Sequence, residues 1–243
     1  MRADVAVLPS AAALAEAAAR RFVAAAGDAI DSHGQFVVAL SGGSTPRDTY
    51  RRLGTDALVS GVMWSRVQVL WGDERCVPPD HAESNYRMAR ETLLEHVPVP
   101  AANVHRIHGE DDPATAAEVY EATMRALLRT PGARIDLVLL GLGDDGHTAS
   151  LFPGSAAIQE QTRWVMAAHA PAASMWRVTL TPAVINAAAE VLFLVSGGGK
   201  AGILRRVLEG PRRLQELPAQ AIAPSNGRLR WCVDTAAAAE LTP

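Results

Sequence analysis

Lysine is almost missing from this 243-residue chain: Lys200 is the only one, and every other basic side chain is arginine. The basic residues are scattered and the net charge is −3, so the charged footprint that grips a nucleic acid duplex is lacking. Any phosphate bound here is expected to be small and locally held. Cysteine is scarce too. Cys76 and Cys232 cannot build a disulfide framework and lack zinc-site spacing, which fits a reducing cytoplasm. No apolar run approaches the ~20 residues of a membrane span. The Ala-rich stretch at 10 to 26 is interrupted by Glu16, Arg20 and Arg21, and reads as a first amphipathic helix capped by Ser10, not a leader. No Pro/Gly/Ser linker divides the chain. With 49% hydrophobic and 20% charged residues, one globular domain over 1–243 is expected, monomeric or weakly self-associating.

Short β-rich apolar runs lie at 35–40, 66–71, 134–140, 177–181, 190–196 and 229–234. Helical patterns fall between them, at 46–54, 84–96, 113–129, 182–189 and 200–209, and the Ala-rich tail from Asp234 suggests a last helix. This alternation predicts an α/β fold, Rossmann-like, with a mainly parallel sheet and helices on both faces. In such sheets ligands bind beyond the carboxyl ends of the strands. Four of those ends carry glycine-rich loops interleaved with Ser, Thr, Asp, Arg, His and Lys.

Gly42, Gly43, Ser44 and Thr45 sit between a strand and a helix, where small residues let backbone N–H groups approach a phosphate. The same stretch also reads as ordinary helix-start chemistry, with Ser44 or Thr45 as cap and Pro46 in the first turn. Lys200 lies in a glycine-rich turn at a helix start, where a compact ammonium suits phosphate as a point charge. The GGGKA stretch lacks the frame of a nucleotide-binding P-loop, and Ala201 stands where Ser or Thr would hold magnesium.

The segment from Gly141 to Gly146 fits G-x-G-x-x-G, yet Asp144 and Asp145 would repel a pyrophosphate, so no dinucleotide cofactor is expected. The loop reads instead as presenting Asp145 and His147 to a cleft, with His147 opening the next helix. There the carboxylate can steady an imidazole acting as general base. Asp73, Glu74 and Arg75 follow the second apolar run, and Arg75 can bind an anion or polarise a carbonyl. His105 and His108, with acidic neighbours, lack the paired spacing of a metal centre. No G-x-S-x-G elbow marks a nucleophilic serine.

Taken in order, LSGGSTPRDTY, GDERCVPPDHAESNYRMARETLL, IDLVLLGLGDDGHTASLFPGS and RVTLTPAVINAAAEVLFLVSGGGKA resemble the signature segments of the 6-phosphogluconolactonase family, from about residue 36 to about residue 210. The resemblance implies a fold shared with glucosamine-6-phosphate deaminases. It also implies hydrolysis of a sugar-phosphate lactone without metal or cofactor, and no nucleic acid or membrane partner. Catalysis would fall to His147, Asp145 and Arg75. Substrate and its phosphate would fall to Gly42, Gly43, Ser44, Thr45, Asp73, Arg177 and Lys200. Deaminases of this fold carry a glutamate five residues beyond the histidine and a tyrosine after the acidic pair; here these positions are Phe152 and Arg75. The alternatives are a non-catalytic sugar-phosphate binder on the same fold and a glucosamine-6-phosphate deaminase-like aldose-ketose isomerase.

Overall fold

A computed structural model describes residues 4–130, 132–170 and 174–242, and the side chains within them except at 56 and 57. The strands are β1 (Asp4–Leu8), β2 (Phe36–Leu40), β3 (Val67–Trp71), β4 (Asp73–Arg75), β5 (Leu137–Leu140), β6 (Val165–Ala170), β7 (Met175–Leu180), β8 (Glu190–Val195) and β9 (Arg228–Asp234). The α-helices are α1 (Ala11–His33), α2 (Ser44–Leu53), α3 (Asp56–Val59), α4 (Asn85–Ala89), α5 (Pro113–Leu127), α6 (Pro182–Ile185) and α7 (Ala201–Glu209).

Six strands form a wholly parallel sheet in the order β1-β9-β8-β5-β2-β3. Strands β2, β5 and β8 are near-continuous Val, Leu, Ala and Phe, buried along their whole length, as central parallel strands covered on both faces must be. Their side chains join one apolar cluster with α1, α2, α5 and α7. The chain runs from β2 to β3 on one side, then returns on the other side of β2 with β5 and works outward. Connections therefore diverge between β2 and β5, which opens a crevice at their carboxyl ends.

The sequence reading missed β1, β4 and β6, all short or half-exposed, and with them a second sheet. Strands β4, β7 and β6 form an antiparallel sheet of three, so the run at 177–181 lies here and not in the parallel sheet. Several helix expectations also shift. Ser10 caps α1, accepting from the Ala13 N–H at 3.2 Å, but the helix runs on to His33, past 26. The helix expected over 84–96 is α4 followed by one π-helical stretch at Arg90–Leu94, and α6 stops at Ile185. Among the described residues no α-helix follows Asp234; its carboxylate accepts from the Ala237 N–H at 2.8 Å and the tail proceeds in turns. His147 opens no helix either: the chain passes directly into a bridge between Thr148 and Leu151.

Two buried tyrosines secure the strand ends that face the crevice. The Tyr50 hydroxyl, from α2, accepts from the Ser41 N–H and donates to the Ser41 carbonyl, both at 2.9 Å. From α5, the Tyr120 hydroxyl treats Trp71 at the end of β3 the same way, at 2.7 and 3.1 Å. Each hydroxyl replaces the ladder partners a strand loses where it leaves the sheet. Burial pushes both phenols above their ordinary range and outweighs these hydrogen bonds, so each remains a donor. Replacing Tyr50 with Phe strands two backbone groups; we expect a loss of about 1–3 kcal/mol, read as a lower denaturant midpoint at unchanged slope.

Candidate functional site

A cleft of about 610 Å³ opens at the carboxyl ends of β2, β3, β5 and β8. All ten residues singled out from the sequence line it: Gly42, Gly43, Ser44, Thr45, Asp73, Arg75, Asp145, His147, Arg177 and Lys200.

The loop after β2 turns directly into α2, whose cap is Gly43 (φ 103°), not Ser44 or Thr45, with no side-chain capping bond. The Thr45 hydroxyl instead meets the Ser196 hydroxyl after β8, at 2.9 Å. The first α2 N–H groups therefore face the cleft uncapped, an arrangement that favours an anion.

The loop after β5 carries the histidine. Asp145 Oδ1 accepts from the His147 backbone N–H at 3.0 Å and lies 2.6 Å from His147 Nδ1. This contact places the donor hydrogen on Nδ1 and leaves Nε2 as the lone-pair nitrogen. Burial pushes the Asp145 carboxyl up, but the His147 N–H, charge and ring hydrogen bond outweigh it and leave it below the ordinary carboxylate range. The ring lies against Gly143, where a Cβ would come within 2.1 Å of Nδ1. Its other neighbour is Phe152, 4.9 Å between ring centroids and tilted by 50°. An apolar ring thus fills the position five residues beyond the histidine.

Three cations complete the cleft. Arg75 on β4 and Arg177 on β7 stand directly opposite each other in the antiparallel register. Like charges facing across a ladder repel; burial first, then the Arg75 charge, lowers the Arg177 pKa. The Arg75 guanidinium donates to the Glu83 carbonyl through Nη1, while Nε of both arginines is buried without a partner. Such a pair calls for an anion between its members. Lys200, preceding α7, is paired with the exposed Asp144. Its loop is pinned by Asp234, whose carboxylate accepts from the Gly197 N–H at 3.0 and 3.1 Å.

The acidic pair after β3 divides its work. Glu74 is buried and accepts from the N–H groups of Arg75, Asn85 and Tyr86 and from the Ser84 hydroxyl, at 2.7–3.0 Å. Burial raises its pKa against those four bonds. Asp73 reaches the cleft, where its oxygens accept from Ser150 Oγ at 2.6 Å and Asn85 Nδ2 at 3.2 Å. Tyr50, Asn85, Ser150, Ser196 and Asp234 were not expected as site residues, although all but Asp234 lie inside the quoted segments.

His105 and His108 do not converge: His105 faces Gln68 at 2.8 Å and His108 faces Asp111 at 3.6 Å. Among the described residues no group of three or more His, Cys, Asp or Glu side chains is arranged to hold a metal ion, and no helix is long and apolar enough to cross a membrane.

The chain is similar to known proteins along its whole length. A 6-phosphogluconolactonase of Nostoc sp. is 39% identical over 246 residues, covering 100% of both chains. The solved 6-phosphogluconolactonase of Trypanosoma cruzi superposes with a TM-score of 0.89 at 31% identity, over 100% of this chain and 98% of that one. A monomeric glucosamine-6-phosphate deaminase shares the fold alone, with a TM-score of 0.82 at 23% identity over 98% and 99% of the chains. The family model for glucosamine-6-phosphate isomerases/6-phosphogluconolactonase matches residues 9–231, and the chain belongs to that family.

Proposed function

We propose that this protein hydrolyses 6-phospho-D-glucono-1,5-lactone to 6-phospho-D-gluconate, the lactone-opening step of the oxidative pentose phosphate pathway. The observation that carries the reading is the His147–Asp145 pair at 2.6 Å, in a cleft that also holds Arg75, Arg177 and Lys200. The phosphate docks at the uncapped N–H groups of Gly42, Gly43, Ser44 and Thr45, with the three cations supplying surrounding positive charge. Lys200 exchanges Asp144 for the substrate. His147 Nε2 takes a proton from water as its oxygen attacks C1, while Asp145 holds the ring and steadies the imidazolium. The tetrahedral oxyanion then collapses, the C1–ring oxygen bond breaks, and His147 returns the proton to the departing oxygen. Arg75 serves either the phosphate or the oxyanion. The acid so formed ionises to the carboxylate.

Phe152 against the His147 ring opposes the deaminase reading, because an apolar side chain cannot relay a proton. Two free thiols, Cys76 and Cys232, support a place in the cytoplasm.

Product formation from fresh lactone, measured above spontaneous opening, is expected from chelator-treated wild type. It should fall about 10²–10⁴-fold in His147→Ala, while the variant keeps its affinity for 6-phosphogluconate. Wild type that binds the product without turnover would establish a binding domain instead. Gly143→Ala pushes the ring off its seat and should lower kcat about 100-fold with little change in KM. The depressed Asp145 pKa means that its contact with His147 is present above the ordinary carboxylate range and is lost as pH falls through the depressed value. Ring-nitrogen NMR of His147 should therefore show the contact intact until the pH lies below that ordinary range.

A further inference from the structure

Asp73 sits badly in the role of phosphate ligand, because a carboxylate repels the anion that Arg75, Arg177 and Lys200 would attract. It is buried, 7% exposed, and both oxygens are already engaged. Oδ2 accepts from Ser150 Oγ, three residues beyond His147 on the same loop. Oδ1 and the Asp73 carbonyl accept from the Asn85 amide at 3.2 and 2.9 Å. Two acceptors at Nδ2 settle which way the amide faces. Asn85 Oδ1 then lies against Gly42, so close that a Cβ there would come within 1.9 Å of it. This oxygen is shielded from solvent and has no donor, so it buttresses the loop by contact alone. One carboxylate thereby touches the supports of both working loops.

We infer, on the lactone-hydrolase reading of the cleft, that Asp73 is a positioning residue which sets the spacing between the Gly42 loop and the His147 loop, through Asn85 on one side and Ser150 on the other. The spacing matters because the C6 phosphate and the C1 carbonyl belong to one small substrate, so the sites that hold them must stand at a matching separation. An error of about 1 Å between anchor and base can cost about 100-fold in rate.

The arms separate kinetically. Ser150→Ala loosens the His147 side and should lower kcat about 10-fold with KM nearly kept. Asn85→Ala, or the milder Asn85→Ser, loosens the Gly42 side and should raise KM about 10-fold with a smaller change in kcat. Asp73→Asn should show both losses. Gly42→Ala should raise KM in wild type, yet cost little in the Asn85→Ala background, where the added methyl has room. The same split is read without turnover: amide signals of Gly42 and Gly43 move in Asn85→Ala, ring-nitrogen signals of His147 move in Ser150→Ala, and both move in Asp73→Asn. If Asp73→Asn loses activity while Ser150→Ala and the Asn85 variants keep wild-type kcat, KM and spectra, the carboxylate touches substrate directly and the positioning role is overturned. Wild type that opens no lactone would overturn the hydrolase reading alone, since the spectra decide the coupling either way.

Discussion

A parallel sheet that sends its connections both ways from one strand must end in a gap, and the polar backbone at that gap needs partners. The Tyr50 hydroxyl supplies them at Ser41, bonding both N–H and carbonyl from within the core. The Gly42 side of the cleft hangs on that bracket, because Gly42 and Gly43 are the next residues and α2, which carries Tyr50, begins just after them. The helix thus clamps the strand end from which it springs. Tyr120 repeats the solution at Trp71, immediately upstream of Gly72 and Asp73. Rigid strand ends of this kind are what allow loops to hold functional groups at defined separations.

The electrostatics of the cleft follow from how its charges are paired. Glu74 is committed to the Arg75 N–H and the start of α4, and Asp145 to His147. Arg75 and Arg177, by contrast, face each other across the ladder, and burial together with the Arg75 charge lowers the Arg177 pKa. Repulsion of this kind is relieved by negative charge placed against the cations. Asp144 performs a milder version of the same service for Lys200, from the surface.

The parts of the fold written in long periodic or uniformly apolar segments were legible: β2, β3, β5, β8 and β9 emerge within a few residues of their expected limits. The antiparallel sheet was not, because β4 has three residues and β6 reads VMAAHA, too weak in β-formers to announce a strand. Asp234 misled because an Ala-rich stretch favours helix locally, while its carboxylate is drawn to the Gly197 and Ala237 N–H groups by tertiary contact. The residues expected at the site do converge on one cleft, since glycine-rich loops at strand ends carry their own signal. The supporting side chains were illegible: Asn85 and Ser150 gain their meaning from Asp73, at sequence separations of 12 and 77.

The solitary lysine has a practical side. Lys200 is the only ε-amino group in the chain, and it lines the cleft. Reagents that label amines, used routinely to tether proteins to beads or to attach dyes, have no innocuous lysine to spend themselves on here. A support coupled through side-chain amines would hold every molecule by its cleft, and a dye placed there would stand among the cleft-lining side chains. The same scarcity makes Lys200 a ready-made address for a single reporter group.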